Sequence, residues 1–214
     1  MLLLASATGA IASVAWMWGV RTKKPGSGMA CNGMLAGLVA ITTPYAFVNQ
    51  ISAAIIGLVS GILVVESVFF VERKLKIDDP VGAVSVHMVN GAWGCLALGL
   101  FADGSYGAGW NGVPTAVTGL FYGQPLQFVA EFIGVATNFI VVGGLAFIIY
   151  KLISLITPMR VSSDVEIGGL DVPEVGCPGY VGDLPETGMN KNPEPSQIRG
   201  QIALTTETKK GKAI

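Results

Sequence analysis

The chain has 214 residues, 51% of them hydrophobic and only 13% charged, roughly half the charged share, about 25%, of an ordinary soluble domain. No Lys or Arg occurs between Lys76 and Lys151, and with the charges so unevenly placed the formal net charge of −1 says little about partners; no nucleic-acid partner is expected. Long uncharged apolar runs separated by short basic loops exclude a soluble globular domain and indicate an all-α, polytopic membrane helix bundle.

Five spans are predicted. The first covers about residues 1–20, "MLLLASATGAIASVAWMWGV", and ends at the basic turn "RTKKPGSG". No basic region precedes the apolar stretch, so it reads as a membrane helix rather than a secretory leader. The second runs from about Met29 to Thr43 and stops at Pro44; it is short for a full crossing. The third covers about 51–72 and is followed by "RKLKIDD".

The fourth is expected from Pro80 to about Ala102. Proline suits a first helical position because its missing N–H would be unpaired there anyway. Asp78 and Asp79 just before it suit an N-cap and the positive end of the helix dipole. At 1.5 Å per residue such a helix reaches roughly 34 Å, enough to cross the hydrocarbon core. A Gly-rich loop, 103–125, leads to the fifth span, about 126–156, which is longer than a bilayer needs and is expected to tilt or project.

Residues 1–156 therefore form a transmembrane domain and 157–214 a tail. "NKNPEPSQIRGQ" and "TTETKKGKAI" read as disordered, whereas "EIGGLDVPEVGCPGY" is apolar enough to dock. The basic clusters lie between spans one and two (Arg21, Lys23, Lys24), between three and four (Arg73, Lys74, Lys76) and after five (Lys151, Arg160). Five alternating spans put them all on one side. The positive-inside rule makes that side the cytoplasm, with the N-terminus of the chain outside and the tail inside a cell membrane.

His87 is the single histidine of the chain. At helical spacing its face reads Pro80, Val84, His87, Gly91, Gly94, Leu98, with Asn90 the other near neighbour. No charged residue of its own helix lies within a turn. A dry setting of this kind favours the uncharged imidazole, which donates one hydrogen bond and accepts one and suits a small polar solute. The competing reading, that His87 bonds a neighbouring helix and holds the bundle together, stands level with it. No second histidine exists to make a metal site, and no cofactor is implied. Glu66 reads as pairing with Arg73 or Lys74, or reaching the interface, ahead of a proton-relay role. Glu131 is expected to cap the fifth span or face its vestibule. Cys31, Cys95 and Cys177 read as packing residues. Gly33-x-x-x-Gly37 and Gly57-x-x-x-Gly61 permit close helix approach, a weak signal where 29 residues are glycine.

Three stretches carry a family resemblance. "KIDDPVGAVSVHMVNGAWGCLALGLFADG" resembles the penultimate-helix signature of the ammonium transporter (Amt) family. "NGMLAGLVAITTP" resembles its A-G-L-V-x-x-T-P segment, and "GGLDVPEVGCPGY" the G-L-D stretch of its C-terminal tail. The last match is the loosest, because the more familiar H-G-E-x-A-Y continuation reads Val175-Gly-Cys-Pro-Gly-Tyr180 here. The resemblance covers about residues 1–180. It implies a membrane transporter rather than an enzyme, and an eleven-helix fold of which this chain supplies helices seven to eleven and the tail. It also implies a pore in which His87 is one of two twin histidines, Val84 and Leu35 are apolar lining positions, and Asp79 lies at the cytoplasmic pore end. Ammonium or ammonia is the implied solute. Membrane lipid, a homotrimeric assembly when full length, and a PII-type regulatory protein at the cytoplasmic face are the implied partners. An ammonium sensor and a non-functional transporter fragment are the alternative readings.

Overall fold

The computed structural model describes residues 1–108, 112–177 and 179. Helix α1 is Leu2–Trp16 and runs on through a π-helical turn, Met17–Arg21. Helix α2 is Ser27–Thr42. Helix α3 is Gln50–Phe70, also extended by a π turn, Val71–Leu75. A π turn at Val84–Val89 leads into α4, Asn90–Phe101. Helix α5 is Pro125–Ser154 and the short α6 is Ser163–Gly168. Among the described residues there is no strand, only one isolated antiparallel bridge between Asp103 and Thr118. The chain is all-α.

Leu2–Arg21, Gln50–Leu75, Val84–Phe101 and Pro125–Ser154 are each long and apolar enough to cross a membrane. Helix α2, with 16 residues, reaches only about 24 Å, so the shortness of the second predicted span is real. The predicted disordered stretches of the tail lie outside the described residues.

Two compact units are distinguished, Met1–Phe147 and Ile148–Ile214. In the first, α1 is seated against α2 and α3, and small residues are the reason. Its buried positions are Ala5, Ser6, Gly9, Ala12 and Ser13, at the three- and four-residue spacing of one helix face. A Cβ placed on Gly33 would lie 2.1 Å from Ser13 Oγ, and on Gly37 2.2 Å from the Ala5 carbonyl oxygen. A Cβ on Gly57 would lie 2.2 Å from Thr8 Oγ1, and on Gly61 2.2 Å from the Gly9 carbonyl oxygen. Both glycine pairs thus receive the backbone of α1. The bulk of the core, Ile41, Val48, Ile56, Val64 and Val65, is fully buried around this seat.

The start of the fourth segment departs from expectation. Pro80 and Val81 lie in a turn closed by Gly82 N–H to the Asp79 carbonyl at 3.0 Å. Gly82 takes φ +76°, a conformation open to glycine at no steric cost, and the helix begins only after it. Asp79 still caps that helix: its carboxylate accepts from the Ala83 amide at 2.8 Å and the Val84 amide at 3.0 Å. The spanning part is therefore 18 residues, about 27 Å, rather than the longer helix from Pro80. Helix α3 is capped in the same manner by Asn49, whose Oδ1 accepts from the Ser52 amide at 2.9 Å.

Candidate functional site: the cavity beside His87

A cavity of about 750 Å³ opens in the first unit between α2, the segment carrying His87, and α5. Its polar wall atoms come from Thr42 and Thr43, His87 and Cys95, and Glu131 and Asn138; Val39, Met88, Val135, Phe139 and Val142 give it an apolar lining. His87 is exposed to this space. The faces of the helix differ from an unbroken 3.6-residue pitch. Gly91 lines the cavity with His87 as expected, but Gly94 turns away. A Cβ on Gly94 would lie 2.4 Å from the Ala40 carbonyl oxygen of α2, and Leu98 is 8% exposed. The π turn at Val84–Val89 explains the difference: i→i+5 bonding lags behind the α pitch, so Met88, Ala92 and Cys95 take the places that Gly94 and Leu98 would have held.

The cavity is also less neutral than the histidine's own helix. Helix α5 brings the half-buried Glu131 to the same wall, where its Oε1 accepts from Gln127 Nε2 at 2.9 Å. Glu131 therefore faces a cavity, as its vestibule reading allowed, and shares that cavity with His87. Asn138 escaped notice in the sequence. The signal was there, since it is the one carboxamide between Gln127 and the end of α5.

Of the other expected site residues, Asp79 is 7% exposed and serves as the helix cap. Val84 is half-buried and Leu35 is exposed on α2; neither belongs to the wall of the cavity that His87 lines. Asn90 is fully buried. Its Oδ1 accepts from Ser60 Oγ of α3 at 2.6 Å and its Nδ2 donates to the Ser85 carbonyl at 2.8 Å.

Glu66 has a different partner from the one expected. Arg73 and Lys74 follow it on the same helix, but the ion pair is made across to α1. Arg21 Nε donates to Glu66 Oε1 at 2.8 Å, Arg21 Nη2 donates to Oε2, and Trp16 Nε1 donates to Oε1 at 2.6 Å. Close packing of α1 on α3 is what brings these groups together. Arg73 is instead drawn over the Phe69 ring, 4.5 Å from its centroid, and Arg21 lies 5.0 Å from the same ring. Cys31 and Cys177 are exposed and Cys95 is half-buried. Among the described residues no group of three His, Cys, Asp or Glu side chains could hold a metal ion.

A bundle of apolar helices long enough to span a bilayer, with a cavity carrying a few polar groups between them, defines the class of multi-pass membrane proteins. Comparison with known proteins narrows this. Residues 2–180 match the model of the Ammonium Transporter Family, and the chain belongs to that family. It is 41% identical over 177 residues to the ammonium transporter Amt2 of Archaeoglobus fulgidus, covering 83% of this chain and 37% of the relative. It is 34% identical over 158 residues to the ammonium transporter of Bacillus subtilis, covering 74% and 38%. Among solved structures, one titled "Sensor Amt Protein" superposes with a TM-score of 0.69 at 32% identity, covering 81% of this chain and 40% of that one. Mep2 of Saccharomyces cerevisiae superposes with a TM-score of 0.68 at 26% identity, covering 76% and 36%. The chain thus spans less than two-fifths of the length of the curated relatives quoted.

Proposed function

We propose that the chain is the C-terminal portion of a membrane transporter that conducts ammonium or ammonia, with His87 as a solute-facing group. Family membership makes ammonium the solute to test, and the observation that carries the role of His87 is its exposure to a largely apolar cavity with a few polar groups between spanning helices. Taking a bare ammonium ion into a low-dielectric path costs up to tens of kcal/mol in the Born limit. An ammonium that leaves its proton with water at the mouth of the path and crosses as neutral ammonia avoids most of that cost. An uncharged imidazole can then accept a hydrogen bond from the solute and donate one onward. Val84 and Leu35 lie off the cavity wall, so the proposal rests on His87. The positive-inside rule supports an orientation with the basic ends of α1 and α3 at the cytoplasmic face, the N-terminus outside and the tail inside.

The test uses a chimaera in which residues 2–180 replace the matching segment of a full-length relative such as the Bacillus subtilis transporter. Labelled methylammonium uptake is measured in cells lacking their own ammonium uptake. His87→Ala is expected to abolish or severely reduce it, and unchanged uptake overturns the role of His87. The 214-residue chain expressed alone is expected to give no saturable uptake.

One observation favours a second reading, the likeness to a structure titled as a sensor. In that reading the chain reports ammonium to a PII-type protein through residues 157–214. Retention of a PII-type protein by the membrane-embedded chain, lost when the tail is removed, supports it; equal retention without the tail rejects it.

A further inference from the structure

The cavity wall is set by a short stretch of irregular helix, and one buried side chain terminates it. Residues Val84–Val89 form the π turn that carries His87, and Asn90 ends it. In an i→i+5 ladder the N–H of residue 90 would bond the carbonyl of Ser85. Here the backbone N–H of Asn90 goes to the His87 carbonyl instead. The side-chain amide takes over the Ser85 carbonyl at 2.8 Å. The other end of the same carboxamide is held from outside the helix by Ser60 Oγ of α3 at 2.6 Å. Ser60, Ser85 and Asn90 are all 0% exposed, so water does not compete for these bonds and an unmade one is costly. The junction where the π turn gives way to α4 is therefore tied to α3, three residues beyond His87. The π turn shifts which residues share the cavity wall with His87, and this tie lies at its end.

We infer that Ser60 and Asn90 are positioning residues for His87: their bond fixes the end of the π turn and with it the direction in which the imidazole faces the cavity. The inference rests on the conduction reading for its functional consequence, but the positioning itself is measurable without transport. His87 is the single histidine of the chain, so ring-15N-labelled histidine gives one imidazole and no assignment problem. The 214-residue chain, in phospholipid bilayers, is expected to show one set of ring resonances. Asn90→Ala is expected to lose that single set to several, or to a broadened one. Ser60→Ala, which leaves the bond to the Ser85 carbonyl in place, is expected to do the same in weaker form, and Ser60→Thr, which keeps the hydroxyl, to restore it. Ser85→Ala is the packing control: the Ser85 hydroxyl is buried with no hydrogen-bond partner among the described residues, so its removal should leave the ring signal unchanged.

An unchanged single set in Asn90→Ala overturns the inference. Where circular dichroism shows that this variant does not fold, an unchanged set in Ser60→Ala does so. Equal disturbance by Ser85→Ala also overturns it, because any loss of core packing would then suffice. Ring signals that respond as expected, while His87→Ala leaves chimaera uptake intact, remove the conduction reading and leave the positioning standing.

Discussion

The seat of α1 on α2 and α3 gives a sharp test, and Gly57→Ala probes it. The new Cβ would meet Thr8 Oγ1 at 2.2 Å, the Ala5 carbonyl oxygen at 2.3 Å and Ala5 Cα at 2.8 Å. Ordinary carbon contacts lie near 3.5–4.0 Å, so α1 would have to recede by roughly 1 Å. Two of the three atoms are backbone, and no rotamer change relieves them. Overpacking of this kind costs about 1–3 kcal/mol, and the rigid neighbours put Gly57 toward the upper figure. Alanine returns about 1 kcal/mol through its better helix propensity. The net expectation is a loss of about 2 kcal/mol, close to a 30-fold shift in the folding equilibrium. The control is Gly144→Ala on α5, where a Cβ meets nothing within 4 Å; only the propensity gain applies there, and stability should hold or rise. Reversible unfolding of the bilayer-derived protein in mixed detergent micelles, followed by far-ultraviolet circular dichroism, reads both variants. Equal stability of Gly57→Ala and Gly144→Ala would refute the close seating of α1.

Asp79→Ala should expose the Ala83 and Val84 amides to hydrogen exchange and cost about 1 kcal/mol, as loss of an N-cap does; unchanged protection of those two amides would show that the carboxylate does not cap. Arg21 and Glu66 keep 35% and 38% side-chain exposure, so solvent screening limits the pair. Glu66→Gln is expected to cost less than about 1 kcal/mol, with the difference from wild type shrinking at high salt, and a loss that ignores ionic strength would contradict an ion pair. Cys177 is exposed and follows the basic end of α5. A membrane-impermeant maleimide should label it in inside-out vesicles and not in intact cells, and labelling from outside would reverse the proposed orientation.

Composition alone carried much of the fold. Apolar runs of spanning length, broken by Lys and Arg, register through bulk hydrophobicity, which does not depend on what each side chain touches. The glycine pairs were visible but weak as signals, because nothing in "GLVSG" says which helix it receives; the answer, the Ala5-to-Ser13 face of α1, is a property of packing. Glu66 shows the same limit. Two cations follow it within a helical turn or two on its own helix, yet the partner is Arg21, 45 residues earlier.

The site was least legible where the backbone leaves the α-helix. Reading His87 at a pitch of 3.6 residues put Gly94 and Leu98 beside it, and only Gly91 kept that place. Nothing in "VSVHMVN" marks an i→i+5 turn, a rare element found mostly as a single turn within an α-helix, and the bond seen at its end is a tertiary one. Here the visible bond of that kind is Ser60 to Asn90, which joins residues 30 positions apart. A sequence face drawn through this histidine is therefore off by about one residue until the buried carboxamide three positions later is recognised as the end of the turn. The groups that line the cavity with the ring, Cys95 and Met88 rather than Gly94 and Leu98, follow that change of pitch.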